Sequence, residues 1–260
     1  MSNLPLVSII MNCHNGEKFL KDAIQSIISQ TYKNWELIFW DNLSTDDSKK
    51  ILSKYKENRI KYFKSEEFLN LYSARNRAIR KASGEYICFL DTDDFWEKDK
   101  IEKQIKFLHL NPNLNIIYSN YYTYNQENSK KNLRNNFILP EGFITKDILK
   151  RYSIGLLTLC INKKIFEKNS FNEKYNVIGD FDFIIRLSIE EKIGCIQSPL
   201  AYYRLHDKNY SKQKIKTYID ELSEWIEKNE NYLNQIGHNL KSQKILLFKL
   251  KIKKLLRILK

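Results

Sequence analysis

The chain has no long apolar run. Nothing in its 260 residues approaches the ~18 consecutive apolar side chains of a membrane span. The first apolar stretch, LPLVSIIM, is short and has no basic leader. Neither a bilayer crossing nor a signal peptide is expected. Cysteine is equally sparse. The four present, Cys13, Cys88, Cys160 and Cys195, lie far apart in apolar surroundings and form no CxxC pair. They predict buried, reduced thiols and a cytoplasmic chain. Glycine numbers seven, and the segment after the first apolar run, NCHNGEKF, contains one, so a glycine-rich phosphate loop is missing. Apolar residues are not scarce. At 42% they exclude wholesale disorder and suffice for one large α/β domain, or a domain with an appendage.

The formal net charge is +13, and it is unevenly placed. Residues 211–260 hold twelve Lys and Arg against five Asp and Glu, while residues 1–210 hold thirty-two against twenty-six. More than half of the excess therefore lies in the last fifth of the chain. Nucleic-acid binding would set basic residues among the chemical motifs or interleave them with stacking aromatics. The concentration at one end predicts instead a basic tail with its own partner, and no nucleic acid.

The first hundred residues alternate between two periodicities. VSIIM (7–11), ELIFW (36–40), IKYF (60–63) and EYICFL (85–90) are short β-branched or aromatic runs that predict strands. In EKFLKDAIQSIISQ, Leu20, Ala23, Ile24, Ile27 and Ile28 recur at helical spacing. A second helix is expected from STDDSKKIL, with Ser44 as its cap and two acids favouring its N-terminal dipole. A third is expected from YSARNRAIRKAS, stopped by Gly84. This βαβαβαβ order predicts a parallel sheet with helices on both faces, binding ligands beyond the carboxyl ends of its strands.

ICFLDTDDFW (87–96) falls at that edge. With extended backbone, Asp91 and Asp93 point one way and Asp94 the other. Two converging carboxylates suit a hard divalent cation that shares its oxygen ligands with substrate phosphates. A solvated turn, with Asp94 capping the next helix, accounts for the spacing equally well.

Longer segments carry a resemblance. SIIMNCHNGEKFLKDAIQSIISQTYKNWELIFWDNLSTD, ARNRAIRKASGEYICFLDTDDFW, GDFDFIIRLS and YYRLH resemble, in order and spacing, the family-2 glycosyltransferases over roughly residues 5–206. The resemblance implies a Rossmann-like A-type fold with a mainly parallel sheet, and inverting transfer from a nucleotide-diphosphate sugar. It implies Asp93 as the main metal ligand, Asp91 beside it contacting the sugar-nucleotide or the metal shell, and His206 completing a site for Mn or Mg. Asp180 would be the general base, with Asp182 as its rival and a plain helix N-cap as the competing role. Arg75 would hold the nucleotide or the acidic crevice, with packing of its helix as the alternative. Asn12, His14, Asp41 and Asn42 would border the nucleotide. Tyr121, Tyr122 and Tyr124 either stack on sugars or pack in a strand.

Departures from the common family pattern are local. Asp41-Asn42-Leu43-Ser44 stands where two acids and Gly-Ser are usual, and Gly179 replaces the Glu of a Glu-Asp pair. Met11 and His14 stand where a proline and a tyrosine are common. Asn42 keeps an acceptor oxygen for a base imide but no charge, which leaves UDP, TDP and GDP donors open. A nucleotidyltransferase would need the missing glycine-rich loop, and a non-catalytic relative would not need Asp180 beside an intact D-x-D.

Residues 1–210 are expected to form the catalytic domain, with a nucleotide-sugar half to about residue 120 and an acceptor half from 121. Residues 125–136 read as a polar loop or flexible hairpin, 137–178 as the acceptor region, and 211–260 as a basic helical tail. In KILLFKLKIKKLLRILK, Ile245, Phe248, Ile252, Leu255, Leu256 and Leu259 share a face flanked by Lys249, Lys253, Arg257 and Lys260. Seven cations and no acid predict a helix lying on anionic lipid, at the inner face of the cell membrane, close to a glycan or lipid-linked acceptor. Packing on the domain or on a partner is the alternative.

Overall fold

A computed structural model describes residues 4–207, 209 and 214–258, the side chains of 257 and 258 excepted. Four parallel strands, β1 (Val7–Cys13), β2 (Trp35–Asp41), β3 (Ile60–Lys64) and β4 (Tyr86–Phe89), lie where the apolar runs predict them. Helices α1 (Leu20–Ile28), α2 (Ser48–Leu52) and α3 (Leu71–Ile79) connect them. Alternation along the strands splits the core in two, as a period of two requires. Val7, Ile9 and Met11 of β1 face α1, α2 and α4 (Lys100–Leu110). Ile10, with Ile38 and Trp40 of β2, faces α3, α5 (Thr145–Lys150), α6 (Gly179–Glu190) and α7 (Ile215–Gln235). Helices thus cover both faces.

The second half adds antiparallel strands and makes the sheet mixed. Its order is β3-β2-β1-β4-β8-β6-β9-β5, with β7 (Lys131–Leu133) on β6. The short β8 (Cys160–Asn162) runs antiparallel between β4 and β6 (Ile116–Asn125), and β9 (Ile193–Leu205) runs parallel to β6. The β6–β9 register slips around Asn120, opposite Pro199, where proline has no N–H to offer the ladder. β5 (Phe95–Trp96) pairs with Tyr202 and Ala201 of β9, which brings the DTDD segment beside Arg204 and His206.

Two helix ends differ from expectation. α2 follows Asp47 rather than Ser44, because the Ser44 Oγ is taken by the Asn15 N–H at 3.1 Å. α3 ends at Ile79, five residues before Gly84. That glycine serves close packing: a Cβ on it would lie 2.6 Å from the Leu6 carbonyl oxygen and the Ser8 nitrogen. All four cysteines are buried and unbridged, as expected.

The C-terminal helices share the main core. Leu222, Trp225, Ile226 and Leu233 of α7 are buried in the same cluster as α6, so the boundary expected at residue 210 does not separate two cores. α8 (Lys241–Ile258) packs through Leu247 and Leu250 and buries Gln243, whose Nε2 donates to the Leu149 carbonyl at 2.6 Å. Its other side exposes Ile245, Phe248, Ile252, Leu255 and Leu256, at 41–64%. One face of this helix is therefore packed on the domain, and the face expected to be apolar is bare. Leu259 and Lys260 lie outside the described residues, as does the Arg257 side chain. No helix among the described residues is long and apolar enough to cross a membrane.

Candidate active site

Beyond β4 the chain turns at once, with the Asp94 N–H donating to the Asp91 carbonyl at 3.2 Å. The backbone is not extended here, so the simple two-sided geometry fails. The turn nonetheless leaves Asp91, Asp93 and Asp94 lining one cavity of about 420 Å³. Asp94 does not cap α4, which follows Asp99. It is buried and accepts the Arg204 N–H at 2.8 Å. Burial, then the charges of Asp93 and Asp91, push its carboxyl well above the ordinary range.

Arg204 holds this turn. Its guanidinium is buried and donates to the Asp93 carbonyl and to Asp22 of α1, both at 2.8 Å, and to Gln126. Two residues on, His206 Nε2 lies 2.9 Å from Asp93 Oδ2. Its backbone N–H donates to Asn209 at 2.8 Å. From α3 the buried Arg75 donates to Asp91 at 2.9 Å. Burial raises the Asp91 pKa, and Arg75 opposes that rise while the charge of Asp93 adds to it.

Asp93 thus lines that cavity with Asp91 while its carboxylate lies against the His206 imidazole. Among the described residues no group of three or more His, Cys, Asp or Glu forms a ready-made metal cage. The donor set fits an ion that draws its remaining oxygens from a diphosphate, and a cation would relieve the carboxylate repulsion.

Asp180, in the first turn of α6, lines the same cavity. Its Oδ1 accepts the Phe181 N–H at 2.9 Å and the Tyr72 hydroxyl at 3.2 Å. Burial raises its pKa against the opposing Arg75 charge and these hydrogen bonds. The N–H groups of Asn176, Val177 and Ile178 that lead into α6 donate to Glu221 of α7, at 2.6, 2.9 and 3.1 Å. The turn leading into α6 is therefore held from another helix. Asp182 is buried away from the cavity, accepting Trp225 Nε1 and Arg186 Nε at 3.0 Å each. It ties α6 to α7.

His14 lines a second cavity of about 620 Å³ with Asp93 and His206. Its Nδ1 lies 2.9 Å from the Asn42 carbonyl, and its ring meets Phe68 edge-on. Both polar atoms of the Asn12 side chain are buried without a partner. Asp41 accepts the Ser44 N–H and the Tyr62 hydroxyl, at 2.8 and 2.7 Å. The Asn42 amide pairs with both backbone groups of Leu69, at 2.7 and 3.0 Å. Asp41 and Asn42 therefore shape the loops around the cleft and line neither of these two cavities. Tyr121 lines the first cavity, whereas Tyr122 and Tyr124 pack on Tyr202 and Phe95.

The model of the family described as "Glycosyl transferase family 2" matches residues 8–191. The chain belongs to glycosyltransferase family 2. It is 33% identical over 215 residues to the Escherichia coli UDP-Glc:alpha-D-GlcNAc-diphosphoundecaprenol beta-1,3-glucosyltransferase WfgD, with 81% of each chain covered. S. aureus TarS 1-349 in complex with UDP superposes with a TM-score of 0.65 at 19% identity, over 83% of this chain. The mannosyltransferase PcManGT from Pyrobaculum calidifontis, in complex with GDP-Man and Mn2+, gives 0.64 at 14% identity over 87%. This chain spans 65% of the length of each of those two structures.

Against the family pattern, two departures have structural counterparts. Gly179 stands where an acid is usual, and a Cβ there would sit 2.5 Å from the Tyr72 ring. The glycine is what lets Tyr72 lie against the start of α6 and reach Asp180. Leu43 stands where glycine is usual and takes a left-handed φ of 59°, strained for a side chain with a Cβ. Sequence reasoning missed Tyr72, Arg204 and Glu221 as site residues. Arg204 was within reach, inside YYRLH. Glu221 was not, since it lies in the tail, more than forty residues from the amides it accepts.

Proposed function

We propose that this family-2 glycosyltransferase moves a sugar, with inversion, from a nucleotide-diphosphate sugar to a hydroxyl of a lipid-linked or polysaccharide acceptor in cell-surface glycan synthesis. The observation that carries the reading is Asp180, a half-buried carboxylate of raised pKa in the same cavity as Asp91, Asp93 and Arg75. A carboxylate whose pKa is raised holds a proton more readily, which favours proton removal from a substrate. Asp180 accepts the proton of the acceptor hydroxyl as its oxygen attacks the anomeric carbon from the face opposite the leaving nucleotide. One displacement through an oxocarbenium-like state needs no covalent intermediate.

Tyr72 orients Asp180, and Arg75 holds Asp91 toward the donor. Asn12 and His14 border the nucleotide. Asp93 and His206, with Asp91 beside them, would hold Mn or Mg, which when bound neutralises charge on the departing diphosphate. The Mn2+ in the PcManGT complex and the lipid-diphosphate acceptor in the WfgD name support these readings. The bare apolar face of α8, with the lysines that flank it, would seat the enzyme on anionic lipid at the cytoplasmic side of the membrane.

A thermal-shift screen of UDP, TDP and GDP with and without manganese tests the donor side. A ligand at 100 times its Kd contributes about 2.7 kcal/mol of stability. Manganese-dependent stabilisation by at least one nucleotide is expected, and Asp93→Ala should lose it. No stabilisation by any of the three would refute the proposal.

A further inference from the structure

We infer that Glu221 of α7 is a positioning residue for the reaction, setting the place of Asp180 by holding the turn that leads to it. This rests on the reading of Asp180 as the base. Residues 176–179 enter α6 from the cleft, and Asn176 and Val177 line the same cavity as Asp180. Ile178 stands at the N-cap of α6, and no side chain there accepts a hydrogen bond. The N–H groups of the turn therefore need an acceptor from elsewhere. Glu221, 7% exposed, supplies both of its oxygens. Oε1 takes the Asn176 N–H, and Oε2 takes those of Val177 and Ile178. A negative charge at the start of a helix is favoured by the helix dipole as well.

The carbonyl of the same turn is held by Tyr72. Its hydroxyl lies 3.2 Å from the Val177 carbonyl and 3.2 Å from Asp180 Oδ1. A hydroxyl has one hydrogen to give, so the turn and the base share it, and the place of Val177 decides how. Glu221 thus acts on Asp180 through Val177 and Tyr72, and α7 belongs to the catalytic apparatus. Glu221→Gln offers one acceptor oxygen in place of two and turns an NH2 group toward the turn. At least one N–H then loses its partner, the turn shifts, and the Tyr72 bond to Asp180 is lost. The other groups that face Asp180 are Arg75, Asp91, Tyr121, Tyr152 and Tyr218, all present in the variant. Burial raises the Asp180 pKa, while Arg75, the Phe181 N–H and the Tyr72 hydroxyl draw it back. Losing the Tyr72 bond therefore moves it further up.

The experiment is a carboxyl-carbon NMR titration of full-length, metal-free protein labelled at aspartate, with the Asp180 signal identified by its loss in Asp180→Asn. Glu221→Gln should raise the Asp180 pKa by about one unit, the size of one hydrogen bond, and Tyr72→Phe should do the same. The two together should shift it no further than either alone. Leu233→Val opens a small cavity about three turns further along α7. It should lower the melting temperature and leave the Asp180 titration where it is. If Glu221→Gln does not fold, Glu221→Asp, which keeps the charge and shortens the reach, should give a smaller shift of the same sign. An unchanged Asp180 titration in the folded Glu221 variant, additive shifts with Tyr72→Phe, or an equal shift in Leu233→Val overturns the assignment. Release of UDP from UDP-glucose separates this from the base reading. Asp180→Asn as active as wild type would end the base reading, while the titration alone decides whether Glu221 places Asp180.

Discussion

Replacing Asp180 by Asn keeps the size of the side chain and an oxygen that still accepts from the Phe181 N–H and the Tyr72 hydroxyl. It removes the ability to take a proton near neutral pH. General base catalysis contributes about 10²–10⁴-fold, so turnover should fall by about 3–5 kcal/mol of transition-state stabilisation at ~1.36 kcal/mol per tenfold. Stability should move the other way. Burial raises the Asp180 pKa in the folded protein, so ionising it opposes folding. That penalty is absent below the unfolded-state pKa and grows as pH rises toward the raised folded-state value. Asn carries no such penalty, and the variant should be at least as stable at neutral pH. Wild-type turnover should rise with pH through that raised pKa, and the residual rate of the variant should not. Asp182→Asn is the matched control. It keeps an acceptor for Trp225 and loses an ion pair to a partly exposed Arg186, at a cost of about 0.5–1.5 kcal/mol, with turnover nearly intact. Single-turnover transfer and urea denaturation on both variants give the four numbers. Reversed losses, or a fall in Asp180→Asn turnover matched by an equal fall in stability, would refute the assignment of the base.

Three further outcomes are expected. Asn42→Asp removes the donor to the Leu69 carbonyl and sets an oxygen in its place, so urea denaturation should show a loss of about 1–3 kcal/mol with unchanged preference among UDP, TDP and GDP. Leu43→Gly should stabilise by about 1 kcal/mol in the same assay, because it relieves the left-handed φ at some cost in unfolded-chain entropy. Lys249→Gln with Lys253→Gln should weaken sedimentation with anionic vesicles by about 2 kcal/mol, roughly thirtyfold, and leave neutral vesicles unaffected; equal binding by the parent and the double variant would end the membrane reading of α8.

Much of the first half of the chain was legible because its determinants are local. Short β-branched or aromatic runs mark strands, and VSIIM, ELIFW, IKYF and EYICFL fall within a residue or two of β1 to β4. Strand ends then place DTDD at the ligand edge without further information. GDFDFIIRL likewise announces a helix with acids in its first turn. The bare apolar face of α8 was readable for the same reason, since helical spacing is a property of neighbours in the chain.

What tertiary structure decided are contacts between residues far apart in sequence. Sequence spacing leaves Asp180 and Asp182 as rivals, and the fold separates them by giving Asp182 to Trp225 of α7 while Asp180 faces the cleft. Gly179 looks like a lost acid until Tyr72, over a hundred residues earlier, is seen against it. Asn42 looks like a base reader until Leu69 takes both ends of its amide. Ser44 looks like a cap until Asn15 claims its hydroxyl. Each side chain has a small number of donors and acceptors, and a buried one must be satisfied by whatever the fold brings near. Local pattern determines which residues are buried and on which face; only packing determines which partner each polar group meets, and so which of two carboxylates is left to do chemistry.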